Sequence, residues 1–174
     1  MKKYFLSPVL EKYKSSLKND FDAYNNHCNR VFKYCVLLDD ELTHHPKYAI
    51  AVVFHDLGIW TENTFDYLDA SKELAKNHLK TIGKENWTEE VLLMIDMHHK
   101  RSNYTGKFEE TVEVFRKADW IDVSLGLFNH GIPVSKIKEL NKDFPNAGFH
   151  KFLAKQTLKR FLTNPLNPLP MFKK

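Results

Sequence analysis

The sequence predicts an all-α protein, a compact bundle of roughly six to eight helices, and three observations carry the prediction. Apolar residues recur at intervals of three and four along most of the chain. No window sustains the period-two alternation of a half-buried strand. The periodic stretches open on Ser, Pro, Asp or Thr and several close on Gly, which is how helices start and stop. At 174 residues, 43% hydrophobic and with 13 Phe, the chain fills one core and is too short to need two. Residues 1–174 therefore read as one domain, with the motif-bearing core in about 20–128 and C-terminal helices and a Pro-rich tail in 129–174.

Ser7-Pro8 suits an N-cap followed by the first helical position, and predicts a short helix to about residue 17. Phe21, Tyr24, His27, Cys28, Val31, Phe32, Cys35 and Leu38 then form one broad apolar stripe, so His27 points inward. Pro46 starts a third helix over residues 48–56, with Gly58 as its C-terminal cap. A buried strand is the rival for so short an apolar run, but the Pro start, the Gly stop and two alanines favour helix. Asp69 or Ser71 caps a helix carrying Leu74, Ala75, His78, Leu79 and Ile82 and closed by Gly83. Thr88-Glu89-Glu90 opens another, carrying Val91, Met94, Ile95 and His98. A sixth spans about 110–127, with Val112, Phe115, Ala118, Asp119, Asp122 and Leu125 on one side, so Asp119 also points inward. Shorter helices follow near 134–140 and 146–162, and the run from Asn164 to Pro170 breaks regular structure.

The longest apolar runs stay far below the roughly 18–20 residues of a membrane span. The basic start Met1-Lys2-Lys3 has no apolar stretch behind it, so the expected location is the cytoplasm. Cys28 and Cys35 lie seven positions apart on one helix, ~10 Å between Cα atoms, which is too far to bridge. They read as buried, reduced thiols. The net charge of +4 is mild, and the basic residues interleave with 22 acidic ones. Lys72, Lys76, Lys80 and Lys84 line one helix face, either solvated or turned to phosphates. No aromatic-plus-basic motif of a nucleic-acid module is present, so nucleic acid is not an expected partner. An oligomer remains compatible with the sequence.

The chemistry concentrates in His27, the adjacent pair His55-Asp56, and Asp119, carried on three separate helices. Two imidazoles and two carboxylates make a mixed nitrogen and oxygen donor set suited to a divalent cation: Mn, Fe, Co, Ni, Zn or Mg. Helices packed side by side can aim one such residue each at a common point. A cation held there acidifies bound water and polarises a phosphoryl oxygen, which suits hydrolysis of phosphate esters.

The order His, His-Asp, Asp resembles the HD superfamily of metal-dependent phosphohydrolases. His27-Cys28-Asn29-Arg30-Val31 is similar to that family's first motif, Phe54-His55-Asp56-Leu57-Gly58 to its second and Ala118-Asp119 to its last. The resemblance implies an HD-type all-α domain and a hydrolase that acts on a nucleotide or other small phosphate ester through metal-activated water. It implies one metal ion on His27, His55, Asp56 and Asp119, with Asp56 also catalytic. A second metal is possible but not favoured, because the segment before Ser71 lacks the His that dinuclear members often supply; many members also carry Glu or Lys where this chain has Ile59.

Ile95-Asp96-Met97-His98 resembles the family's downstream helix end, which makes His98 a candidate proton donor or phosphate ligand; the alternative is a helix C-terminal residue answering the dipole. His99 should point about 100° away and be exposed. Lys100 and Arg101 are candidate phosphate contacts or dipole partners. Arg30, one turn from His27, meets either substrate phosphate or a buried carboxylate. The loop 59–67 forms a substrate wall or packs over the core, with Trp60 as a substrate contact and Glu62 or Asp66 to orient water. The same architecture also hosts di-iron oxygenases and metal-dependent hydratases or lyases, and a non-catalytic nucleotide-binding adaptor is the remaining alternative.

Overall fold

The stripe that begins at Phe21 builds the longest helix among the described residues, α1, Phe21–Leu38. The computed structural model describes residues 6–166 together with Leu169 and Met171, and among them it is all helix and turn, with no strand. Six further helices of ten residues or more follow: α2 His45–Phe54, α3 Leu68–Thr81, α4 Thr88–Met97, α5 Glu109–Val123, α6 Val134–Asp143 and α7 Phe149–Thr163. No helix of the described residues is long and apolar enough to cross a membrane.

Helix α1 packs against α2 on one side and α5 on the other, and α4 touches both α2 and α5, so these four close a ring. Helix α3 covers α2 and α4 from outside. The ring is filled by Tyr24, Val31, Phe32, Val52, Phe54, Met94, Ile95 and Phe115, each at most 1% exposed. Cys28 and Cys35 are buried free thiols within it. The lysine stripe of α3 is a solvated, ion-paired face. Lys72 bridges Asp69 and Asp96, Lys76 reaches Glu73, and Lys84 lies over the Trp87 ring.

Several boundaries differ from the sequence prediction for local reasons. The first helix starts at Leu6, which puts Pro8 in the first turn, where a missing N–H has no intrahelical partner to lose. The run to Leu17 is divided by a 3₁₀ turn at Glu11–Tyr13 and ends with Lys18 at φ 51°. Helix α2 stops at Phe54, and Gly58 opens the short helix Gly58–Thr61 instead of capping α2. Glycine is required there by proximity: a Cβ would stand 2.5 Å from the Tyr67 carbonyl oxygen and 2.9 Å from Ser71 Oγ. Ser71 is accordingly no cap of α3; buried inside its first turns, it accepts a hydrogen bond from Gly58 N at 3.0 Å.

Gly83 does close α3, as expected. Its φ of 63° lets Lys84 N reach the Leu79 carbonyl and Gly83 N the Lys80 carbonyl, a Schellman motif. Helix α5 ends the same way four residues earlier than predicted. Leu125, at φ 55°, takes the left-handed position, Gly126 N bonds the Ile121 carbonyl, and Leu125 is thereby turned out to solvent.

Candidate metal centre

His27 sits in the buried stripe of α1, and its Nδ1 donates to Asp122 Oδ2 of α5 at 2.7 Å. His55 lies one residue past the end of α2 and donates Nδ1–H to the Val52 carbonyl three residues back, at 2.9 Å. His98 lies one residue past the end of α4 and repeats the pattern on the Ile95 carbonyl at 2.7 Å. Carbonyl and carboxylate oxygens only accept, so all three rings carry hydrogen on Nδ1, and each neutral ring offers the lone pair of Nε2.

Those lone pairs converge. His27 Nε2 and His55 Nε2 are 3.0 Å apart. Asp56 Oδ2 stands 3.8 Å from the first and 3.4 Å from the second, and Asp119 Oδ1 3.7 Å from both. Ligands ~2.1 Å from a common ion are ~3.0 Å apart at a right angle and ~3.4 Å apart at a tetrahedral angle, so His27, His55 and Asp56 could hold one divalent cation, with Asp119 Oδ1 beside both imidazoles. All four residues are at most 3% exposed, and Asp119 Oδ1 has no hydrogen-bond partner. Among the described residues neither Asp56 nor Asp119 has a Lys or Arg within ion-pair distance. Two buried carboxylates facing two lone pairs require positive charge.

The electrostatics of the rings follow from the same crowding. Burial holds His27 below the usual imidazole value, despite the Asp122 hydrogen bond. Burial opposes charge on His55 as well, but Asp56 and Asp119 outweigh it and push His55 up to about 9. A proton on His55 therefore competes with a cation for the same place, and metal binding must displace it.

Asp122 and Arg30 form the layer behind His27. Arg30 Nε donates to Asp122 Oδ1 at 2.6 Å and Arg30 Nη2 to Oδ2 at 2.8 Å, while Nη1 reaches the Phe144 carbonyl at 2.8 Å. Burial would raise the Asp122 carboxyl, but Arg30 and His27 hold it at about 2. Of the two roles open to Arg30, the structure shows the ion pair with a buried carboxylate, and its guanidinium is 1% exposed. Asp122 was not among the predicted site residues. Its signal is a matched register, since Arg30 follows His27 by three positions and Asp122 follows Asp119 by three.

A second donor group shares Asp56. Its Oδ1 accepts from the Tyr67 hydroxyl at 2.6 Å and lies 3.4 Å from His98 Nε2, which is buried and has no hydrogen-bond partner. His99 completes the group, its Nε2 2.7 Å from the Tyr67 oxygen, and Asp56, His98 and His99 could hold a cation of their own. Burial and His98 push His99 down to about 3. The expected exposure of His99 is thus corrected. Helix α4 ends at Met97, so the 100° helical step no longer sets its direction, and the turn lays the two rings 3.8 Å apart.

Asp56 and His99 open onto a cavity of about 190 Å³ whose other walls include Phe65, Tyr67, Trp120 and Leu153, and none of its lining residues is Lys or Arg. The remaining predicted contacts lie elsewhere. Trp60 packs between Tyr24 and Phe152, with Nε1 donating to Asp20. Glu62 and Asp66 are exposed, Arg101 is exposed, and Lys100 is half-buried with its carbonyl bonded by Arg116. None of the five lines the cavity. No family model, curated protein or solved structure matches this chain.

Proposed function

We propose that the protein is an HD-type metal-dependent phosphohydrolase acting on a small phosphate ester, a nucleotide among the candidates. One observation carries the reading: buried donors of His27 on α1 and of His55 and Asp56 just past the end of α2 come together, with Asp119 of α5 3.7 Å from both imidazole Nε2 atoms. The order of those residues along the chain, similar to that of the HD superfamily, supports it. A bound divalent cation would acidify water and polarise the phosphoryl oxygen. The chain's own residues do the rest. Asp56, oriented by Tyr67, and Asp119 supply charge to the ion, and Asp122 fixes the His27 tautomer. His98 presents an unpartnered Nε2 beside Asp56, where it can take or return a proton at the reacting oxygen. The aromatic walls of the cavity suit the organic body of the ester and exclude water from it.

The test is phosphate release from a broad nucleotide and phosphoester panel by purified chain loaded in turn with Mn, Fe, Co, Ni, Zn and Mg. Activity is expected with at least one ion and lost in His27→Ala, Asp56→Ala and Asp119→Ala. No release from any compound, or full activity in Asp56→Ala, overturns the reading. The second donor group and the cation-free cavity wall favour one alternative, a di-iron oxygenase. It requires two irons per chain, so an elemental count of one excludes it.

A further inference from the structure

Helix α7 carries a second polar cluster that the metal centre does not use. Gln156, Lys159, Arg160 and Thr163 face Asn63 and Thr64 across a smaller cavity of about 90 Å³. Arg160 Nε is buried there without a hydrogen-bond partner. No ion pair joins Lys159 or Arg160 to a carboxylate among the described residues, and no acidic residue lines the cavity. The other groups are neutral: the amides of Asn63 and Gln156, each with hydrogens to give, the Thr64 hydroxyl, whose oxygen already accepts from Asp66 N at 3.1 Å and whose proton is left to give, and the Thr163 hydroxyl, which donates to the Lys159 carbonyl at 3.1 Å. Two cations, one of them with a buried N–H and no acceptor, together with neutral donors and no acid, make a site for an anionic oxygen group.

Its position gives the site a purpose. Phe65 lines both cavities, and the same helix turns Leu153 and Thr157 to the larger one and Gln156 and Arg160 to the smaller. We propose that the α7 cluster binds a second anionic group of the substrate, a phosphate or carboxylate carried at the far end of an apolar or aromatic body that lies along the larger cavity past Phe65. The identity of the reacting group at the metal rests on the phosphohydrolase reading; the anion site itself does not.

The direct test titrates the full chain, freed of divalent ions by chelation, with inorganic phosphate and separately with acetate, followed by amide chemical shifts. Saturable shifts are expected at Asn63, Thr64, Gln156 and Arg160, and the stronger of the two anions names the group. Binding should weaken about tenfold in Arg160→Gln, less in Arg160→Lys, and not at all in Lys155→Gln, an exposed cation of the same helix outside the cavity. Unmoved amides, wild-type binding by Arg160→Gln, or equal weakening by Lys155→Gln overturns the site. In metal-replete protein the preference for a nucleoside 3′,5′-bisphosphate over the 5′-monophosphate should fall about tenfold in Arg160→Gln. A chain that binds phosphate at α7 yet hydrolyses no phosphoester keeps the anion site and overturns the hydrolase. A chain that hydrolyses phosphoesters without binding phosphate at α7 does the reverse.

Discussion

Asp122→Asn separates the stability of the candidate metal centre from the metal affinity proposed for it. The carboxylate accepts three short hydrogen bonds, two from Arg30 at 2.6 and 2.8 Å and one from His27 Nδ1 at 2.7 Å. An amide keeps the shape but has one accepting end. If its oxygen faces His27, its NH₂ confronts the Arg30 fork; if its NH₂ faces His27, the ring must move its hydrogen to Nε2 and the ligand lone pair disappears. Removing the charge from a buried pair costs about 3–5 kcal/mol, a large share of the ~5–15 kcal/mol of a typical domain. Loss of a partner that orients a ligating imidazole costs ~10–100-fold in metal affinity. Through linkage, the extra stability conferred by saturating metal should shrink by about 1.4–2.8 kcal/mol. Urea unfolding with and without metal, joined to calorimetric metal titration, reads both quantities. Arg30→Gln is the companion variant, because it removes the same charge pairing but leaves Asp122 to accept from His27. It should destabilise the fold with a much smaller loss of metal affinity. Equal losses of affinity in the two variants, or wild-type affinity in Asp122→Asn, would refute the tautomer argument.

The same carboxylate sets an acid limit. Asp122 is held at about 2, below the ~3.9 of an unfolded chain, so its contribution is fully present above pH ~4 and is lost as pH falls through the folded value. That contribution amounts to about 2.6 kcal/mol, and in chelated protein the stability gap between wild type and Asp122→Asn should narrow between pH 5 and pH 2 by about 2 kcal/mol, the group being still half ionised at the lower limit. A gap independent of pH would contradict it. Gly58→Ala should cost about 1–3 kcal/mol of stability, read from the urea midpoint, because its Cβ would stand 2.5 Å from backbone that cannot easily yield. A neutral effect would show that the Tyr67–Ser71 turn gives way freely. His98→Gln should lower kcat by ~10²–10⁴ while one metal per chain is retained. If the count falls from two to one, His98 is a ligand of a second ion and the proton-transfer role fails.

The helices and the inward direction of His27 and Asp119 were legible because each depends on short-range periodicity. The stripe through Tyr24, His27, Cys28 and Val31 fixes which way His27 points, and Ala118-Asp119 shares a face with Phe115 in the same manner. Gly58 was legible as a constraint but not in kind. A glycine beside a helix end reads as a left-handed cap, whereas its reason here is the Tyr67 backbone, a contact made across a loop. Arg30 and Asp122 show a further limit. Spacing says that both are inward, yet only tertiary pairing decides whether an inward cation meets substrate or a carboxylate. His99 escaped because helical geometry was extended one residue past Met97, where the turn takes over. The cavity wall drew on Leu153 and Thr157 from α7 and on Leu169 and Met171 beyond it, residues that no short motif ties to the His55-Asp56 pair.

The ends of α2 and α4 connect fold to chemistry more directly than their interiors do. A helix leaves its last carbonyls without N–H partners. At both ends the chain places a histidine one residue beyond the last helical position, and its Nδ1–H takes the carbonyl three residues back, Val52 in one case and Ile95 in the other. Termination of the helix and selection of the tautomer are therefore one event. The hydrogen that satisfies the orphan carbonyl is the hydrogen that leaves Nε2 as a lone pair aimed into the ring of helices. Val52 O also accepts from Cys28 Sγ at 3.0 Å, so α1 helps hold the carbonyl that orients the His55 ring just past the end of α2. Extending α2 by one turn would give Val52 O a backbone N–H partner, release the His55 ring and remove the constraint on its tautomer. The sharp stop after Phe54, followed at once by the close approach of Gly58 to Tyr67, prevents that extension and is in this sense part of the candidate metal centre.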